Sequence, residues 1–221
     1  MTLAHLWKKL IGSKETTEIL PTDIVVFIVG PSGSGKSSFL RELVRNENVQ
    51  VNKGQKPCTK HVKAERCRFN EIANDIVVVD TPSFHTYVDP DGEDVMRSWM
   101  NSKYTKQCKA ATVLYMHDIA AYEKDANLAV RKHLDTFRRT FPLGNVIPQT
   151  VHILPILDRG MRQPVPPERI AQRLASLRKQ AEEANASMFP TIFDGTPEMA
   201  WSAVQELLER EASRTGMSPI T

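Results

Sequence analysis

A run of six apolar residues, Ile24–Val29, leads directly into the glycine-rich sequence GPSGSGKSS, and this junction constrains the fold more than any other feature. An unbroken apolar run of this length is typical of a strand that is buried on both faces. The sequence after it matches the pattern G-x-x-x-x-G-K-[ST], with the fixed positions at Gly30, Gly35, Lys36 and Ser37. A buried strand, a glycine-rich turn and a helix beginning near Lys36 together predict a phosphate-binding loop.

The chemistry of this phosphate loop follows from its backbone. Glycines allow successive N–H groups to point inward and hold phosphate oxygens, and the positive end of the following helix dipole favours the same anions. We expect the Lys36 ammonium to reach the β- and γ-phosphates of a nucleotide, and the Ser37 hydroxyl to ligate magnesium. The predicted nucleotide-binding residues of the loop are Gly30, Pro31, Ser32, Gly33, Ser34, Gly35, Lys36, Ser37 and Ser38.

Length and composition are those of an ordinary globular protein, because 221 residues suit one larger domain with a sizeable core. The net charge of +3 comes without a basic stripe interleaved with aromatic residues, so no nucleic-acid partner is predicted. No apolar run approaches a membrane span, and no signal-peptide pattern is present. The three cysteines lack a paired spacing and are typical of reduced thiols. These features predict an intracellular, cytoplasmic protein.

The first 22 residues are predicted to form a separate amphipathic segment. Leu3, Leu6, Trp7 and Leu10 would share one face of a helix, with two lysines elsewhere. Such a face could contact a membrane surface or a partner, but one tryptophan and two lysines make a weak anchor. Packing against the apolar surface of the chain's own domain is the favoured interpretation.

Further along the chain, strand-like and helix-like patterns alternate. This order predicts an α/β fold of three layers, in which a mainly parallel sheet is flanked by helices on both faces. Thr196 is the expected N-cap of the last helix, with Pro197 at its first position. The predicted strands are 62–69, 76–79, 110–116, 150–157 and 188–193, and the predicted helices are 93–103, 127–139, a long one from Pro166, and a last one from Pro197 to Arg210.

A second phosphate-related motif is the sequence IVVVDTP, which places Asp80 directly after four β-branched residues. The run predicts a strand buried on both faces, with the carboxylate at its end. An aspartate in this position, downstream of a phosphate loop, can reach the magnesium ion through a water molecule. ATPases of the processive type usually have Asp-Glu there, whereas this chain has Asp80-Thr81.

A third motif is the threonine of KPCTKHV, Thr59, in the polar stretch between the first helix and the next strand. In switch proteins that bind nucleotides, a threonine in that loop closes onto the magnesium ion and the γ-phosphate. Its place between the other two motifs makes Thr59 a candidate for metal binding and catalysis.

Five stretches, GPSGSGKSSF, PCTKHV, VVVDTPSF, LYMHDI and FDGTPEMAW, occur in an order that resembles fungal G-domain proteins related to septins, immunity-associated GTPases and chloroplast outer-envelope import GTPases. The resemblance spans residues 24–208. It implies a Ras-like P-loop NTPase fold, binding of GTP or GDP with Mg²⁺, and self-association as a homodimer or oligomer through the nucleotide face. In this interpretation residues 23–210 form the G domain, and residues 211–221 form a flexible tail.

The sequence departs from that family after the Asp-Thr-Pro motif. Ser83 replaces the usual glycine, and it keeps an N–H for the γ-phosphate but adopts positive φ less freely. Phe84 stands where Ras-type enzymes place a glutamine that orients water. We therefore expect slow GTP hydrolysis or nucleotide binding without turnover, unless His85 or a partner supplies the missing group.

Recognition of the base is assigned to Asp158 in the sequence PILD, which follows a predicted strand. GTPases of the family usually present Asn/Thr-Lys-x-Asp, whose aspartate accepts the guanine N–H donors. Pro155 and Ile156 replace the first two positions of that motif. An aspartate that only caps the loop before Gly160 is the alternative.

A small-molecule or nucleotide kinase that uses ATP is the alternative function, because four arginines could form a lid over an acceptor phosphate. The arginines are Arg159, Arg162, Arg169 and Arg173.

Among the remaining histidines, His133 is expected to be solvated on a charged helix, and His117 to end a strand near the nucleotide. Besides the loop residues, the predicted site comprises Lys36, Thr59 and His85 for catalysis, Ser37, Thr59 and Asp80 for the metal, and Asp80, Ser83 and Asp158 for the nucleotide.

Overall fold

The fold is described from a computed structural model that covers residues 18–44, 61–67, 76–84, 91–104, 108–120, 129–142, 147–157 and 165–215. Most of the predicted amphipathic segment, 1–17, lies outside these residues. Thr59, His85 and Asp158 lie outside them as well, so their predicted roles stay predictions.

A sheet of six strands forms the centre of the described chain, in the order β2-β3-β1-β4-β5-β6. All neighbouring strands are parallel except β2 and β3, which are antiparallel. The mainly parallel sheet was predicted from the alternation of elements, and this prediction is confirmed. The strands are β1 (Ile24–Val29), β2 (Lys63–Cys67), β3 (Ile76–Asp80), β4 (Ala110–Asp118), β5 (Thr150–Ile156) and β6 (Ser187–Met188).

Five described helices cover the two faces of this sheet. Side chains from α2, α3 and α4 pack in one hydrophobic core, and side chains from α1 and α5 pack in the other. The three predicted layers are therefore present. The helices are α1 (Lys36–Val44), α2 (Gly92–Lys103), α3 (Val130–Arg139), α4 (Pro167–Glu183) and α5 (Pro197–Thr215).

The two central strands explain where the site forms. Every side chain of β1 is buried, as the unbroken apolar run predicted, and so is every side chain of β3. Their parallel register aligns Ile28 with Asp80. Because parallel strands end at the same edge of a sheet, the loop after β1 and the carboxylate at the end of β3 become neighbours.

The predicted end of the last helix at Arg210 is wrong, because α5 continues to Thr215. Glu211 and Ala212 are buried, and Glu211 Oε1 lies 3.1 Å from His152 Nε2 on β5. This contact fixes the final turns against the sheet. The predicted start of α5 is confirmed, since the Thr196 hydroxyl accepts a hydrogen bond from the Met199 N–H at 3.3 Å.

Two further expectations are corrected by the structure. His133 is buried rather than solvated, and its Nδ1 shares a 2.6 Å hydrogen bond with the hydroxyl of Tyr115 on β4. The predicted strand 188–193 is only Ser187–Met188, followed by an isolated bridge between Ile156 and Phe193. Among the described helices, none is long and apolar enough to cross a bilayer.

Candidate phosphate and metal site

The phosphate loop turns sharply at its first glycine. Gly30 has a φ of +155°, and a Cβ atom there would lie 2.4 Å from the carbonyl oxygen of Met116 on β4. Real Cβ atoms do not approach backbone oxygens so closely, so a side chain at position 30 would displace the loop or the strand. Gly33 and Gly35 also have positive φ. The backbone of the loop is thus curled as the motif predicts.

Lys36 lies at the first position of α1 and is only 6% exposed. Its ammonium donates hydrogen bonds to the carbonyl oxygens of Gly30 at 2.8 Å and Pro31 at 2.9 Å, which hold it beneath the loop. It also donates to the hydroxyl of Ser83 at 3.3 Å. The side chain therefore joins the phosphate loop to the segment that follows β3.

Ser37 and Asp80 are brought together across the edge of the sheet. The Ser37 hydroxyl donates a hydrogen bond to Asp80 Oδ2 at 2.6 Å, and both side chains are buried. Thr81 fixes the end of β3, since its N–H and its hydroxyl both donate to the Ile28 carbonyl, at 3.3 and 2.8 Å. The predicted pairing of the two motifs is thus a direct contact.

This donor set fits magnesium. A hydroxyl and a carboxylate are hard oxygen ligands, and Mg²⁺ commonly binds through one or two protein oxygens together with waters and nucleotide phosphates. In the described part of the chain, no three His, Cys, Asp or Glu side chains cluster as a metal site built from protein alone. Ser37 and Asp80 would hold the ion, and Thr59 stays a predicted third residue.

The loop also fits a phosphate. Ser34 Oγ is buried and has no hydrogen-bond partner, an arrangement that a phosphate oxygen would satisfy. The loop runs into the first turn of α1, where the Phe39 N–H donates to Gly35 O at 2.8 Å. The N–H groups before that turn have no carbonyl partner within the helix, and with the dipole they favour an anion.

Ser83 and Phe84 follow Asp80 and are both buried. Phe84 is 1% exposed, and its ring packs against Phe137 of α3 with 5.9 Å between centroids. Its side chain therefore belongs to the aromatic core under α2 and α3. A phenyl ring offers no polar group that could orient a water molecule.

The strand that leads to Asp158 is held on both sides. Ile119 N–H donates to Ile156 O at 2.9 Å, and Phe193 N–H donates to Pro155 O at 2.8 Å. Pro155 and Ile156 replace polar positions of the usual base-recognition motif. Their backbone carbonyl groups accept hydrogen bonds that hold the end of β5 in place.

Two residues near the site have roles that the sequence did not predict. Arg173, one of the four arginines of the kinase hypothesis, donates to the carbonyl of Ile119 at 2.6 Å and so fixes α4 to the end of β4. His117 lies on β4 with its Nδ1 buried and unpartnered, and burial lowers the pKa of its imidazole to about 4. Neither role carries a local sequence signal, because both depend on chain segments distant in sequence.

A model of the protein family described as 50S ribosome-binding GTPase matches residues 25–144. No curated protein matches the sequence.

Among solved structures, Toc33 from Arabidopsis thaliana in complex with GDP and Mg²⁺ aligns with a TM-score of 0.50 and 17% identity, over 90% of this chain and 73% of that one. A dimerization-deficient mutant of the same protein aligns with a TM-score of 0.49 and 17% identity, over 81% of this chain and 68% of that one. The alignment with the GDP complex shows a shared fold.

Proposed function

Because the chain belongs to the 50S ribosome-binding GTPase family, we propose that it is a guanine-nucleotide switch whose Mg²⁺-dependent hydrolysis of GTP is slow. The family match over residues 25–144 confirms the predicted class, a P-loop GTPase of the G-domain type. The slow rate, the magnesium dependence and self-association are the parts that we propose.

The contact between Ser37 and Asp80 carries this proposal. It places a hydroxyl and a carboxylate 2.6 Å apart, beside the buried ammonium of Lys36. The chemistry that Mg²⁺ would supply here is positive charge, which would offset the negative charge that develops during phosphoryl transfer. Ser37 would ligate the ion directly and Asp80 would hold it through water. Lys36 would donate to the β- and γ-phosphate oxygens.

Phe84 is the reason to expect slow hydrolysis. In Ras-type enzymes the residue at this position positions the attacking water, which a packed phenyl ring cannot do. The ring is buried against Phe137, so reorientation toward the nucleotide would expose a large apolar surface. His85 is the nearest residue in sequence that could supply a polar group, and its role in hydrolysis is part of the proposal.

Guanine recognition is assigned to Asp158, whose preceding strand is fixed by the carbonyls of Pro155 and Ile156. A carboxylate at the carboxyl end of a parallel strand lies on the same edge of the sheet as the phosphate loop. Self-association through the nucleotide face, which the family resemblance implies, completes the proposal.

The test is a titration of fluorescent GTP, GDP and ATP analogues in magnesium, on the wild type and on Asp158→Ala. We expect guanine nucleotides to bind more tightly than ATP, and the variant to lose that preference while keeping phosphate affinity. Glu209→Ala, an exposed change on α5, is the control. Equal or tighter binding of ATP by the wild type would overturn the guanine assignment and favour the alternative of a kinase that uses ATP.

A further inference from the structure

We propose that the Ser83 hydroxyl competes with the γ-phosphate for the ammonium of Lys36, so that the protein favours GDP over GTP. This inference rests on the proposed function and assigns a role in nucleotide discrimination to a side chain that the glycine usual at this position lacks. The contact that carries it is the 3.3 Å hydrogen bond from Lys36 Nζ to Ser83 Oγ.

The number of donors on Lys36 makes competition necessary. An ammonium group has three N–H donors, and the acceptors around this one include Gly30 O, Pro31 O and Ser83 Oγ. A phosphate oxygen can bind it well only by displacing one of these acceptors. The contact with Ser83 is the longest of the three, so it is the one most readily displaced.

Ser83 contacts Lys36 from the side on which the γ-phosphate would lie, and this position makes the competition specific to that phosphate. Gly30 and Pro31 belong to the start of the phosphate loop, whereas Ser83 follows β3, on the side where Asp80 meets Ser37. In a triphosphate the third phosphate extends from the loop toward that metal pair. A diphosphate presents only its β-phosphate to Lys36, so it lacks the γ-phosphate oxygen that would approach the ammonium from the side of the Ser83 hydroxyl.

The chain on both sides of Ser83 is fixed, so Ser83 cannot move with the Lys36 side chain when a nucleotide binds. Thr81 is bound to Ile28 on one side, and Phe84 is packed in the core on the other. Gly92, at the start of α2, lies so close that a Cβ there would be 2.5 Å from the Ser83 carbonyl oxygen. Lys36 and Ser83 are each 6% exposed, and loss of a hydrogen bond in such surroundings is poorly compensated by water.

The experiment compares dissociation constants for GDP and for a non-hydrolysable GTP analogue in magnesium. Ser83→Ala removes the hydroxyl. Ser83→Gly removes both the hydroxyl and the Cβ, and it provides a second measurement if the alanine variant folds poorly. Ser213→Ala is the matched control, because this exposed serine donates only to Glu209 O on α5. We expect the affinity for the GTP analogue relative to GDP to rise roughly two- to tenfold in both Ser83 variants.

The ratio of the two affinities separates this role from a structural one, since a merely loosened site would weaken both nucleotides alike. An unchanged ratio in both Ser83 variants, with the wild type binding guanine nucleotides, would overturn the inference alone. Failure of the wild type to bind either guanine nucleotide would overturn the proposed function, and the inference with it.

Discussion

The hydroxyl of Ser37 donates a 2.6 Å hydrogen bond to Asp80 Oδ2, although 43 residues separate the two in sequence. Asp80 is the last residue of β3 and Ser37 lies in the first turn of α1, and the register of β1 with β3 sets their separation. Backbone pairing at the centre of the sheet thus fixes the geometry of the proposed metal site. Changes to either side chain should therefore affect the metal before they affect the fold.

Replacing Asp80 with asparagine tests that geometry. We expect the magnesium concentration that half-saturates nucleotide binding to rise at least roughly tenfold, because a neutral amide is a poorer outer-sphere partner for the ion. The measurement is a Mg²⁺ titration of bound fluorescent GDP. Asp135→Asn on the surface of α3 is the control, with its carboxylate 49% exposed. An unchanged magnesium requirement in Asp80→Asn would remove this residue from the metal site.

Phe84→Ala tests whether the segment after β3 is anchored in the core. Removal of a fully buried ring should lower the free energy of unfolding by about 3 kcal/mol, from lost burial and the cavity left against Phe137. Urea denaturation measures the change. Leu20→Ala, at a side chain that is 42% exposed, should cost much less. A loss below about 1 kcal/mol for Phe84→Ala would mean that the ring leaves the core in solution.

His117 should make the protein sensitive to mild acid. Burial lowers its pKa from 6.5 to about 4, so between these values the unfolded chain binds a proton that the folded protein does not. Its contribution to stability is complete above pH 6.5 and is lost as the pH falls toward 4, by up to roughly 3 kcal/mol.

The measurement for His117 is the free energy of unfolding from pH 7.5 to 4 for the wild type and for His117→Gln. We expect a smaller decline in the variant across this window. The control is His61→Gln, which replaces an exposed histidine. If His117→Gln follows the wild-type curve, the imidazole is not held neutral by burial.

Patterns of adjacent residues predicted two buried strands and the phosphate loop. The apolar run of β1 and the β-branched run before Asp80 identified buried strands, and the glycine spacing identified the loop between β1 and α1. These features depend on a few adjacent residues, so they can be derived from one sequence.

The errors arose where a distant contact decided the outcome. His133 lies on a charged helix, but the hydroxyl of Tyr115 on β4 gives its ring a partner inside the protein. The local pattern ends α5 too early, because Glu211 is fixed by His152, 59 residues away. The bond between Lys36 and Ser83 spans 47 residues and was missed for the same reason. Such pairings follow from sheet order and helix packing, which no local pattern contains.

The most direct test of the account is single-turnover phosphate release from GTP and from ATP in magnesium, with Lys36→Ala beside the wild type. We expect GTP-specific release at a rate on the order of 10⁻⁴ to 10⁻² s⁻¹, as in switch GTPases without a partner, and loss of this release in the variant. Lys179→Ala, an exposed lysine on α4, should retain the wild-type rate. Release from ATP as fast as from GTP, or activity that survives Lys36→Ala, would contradict it.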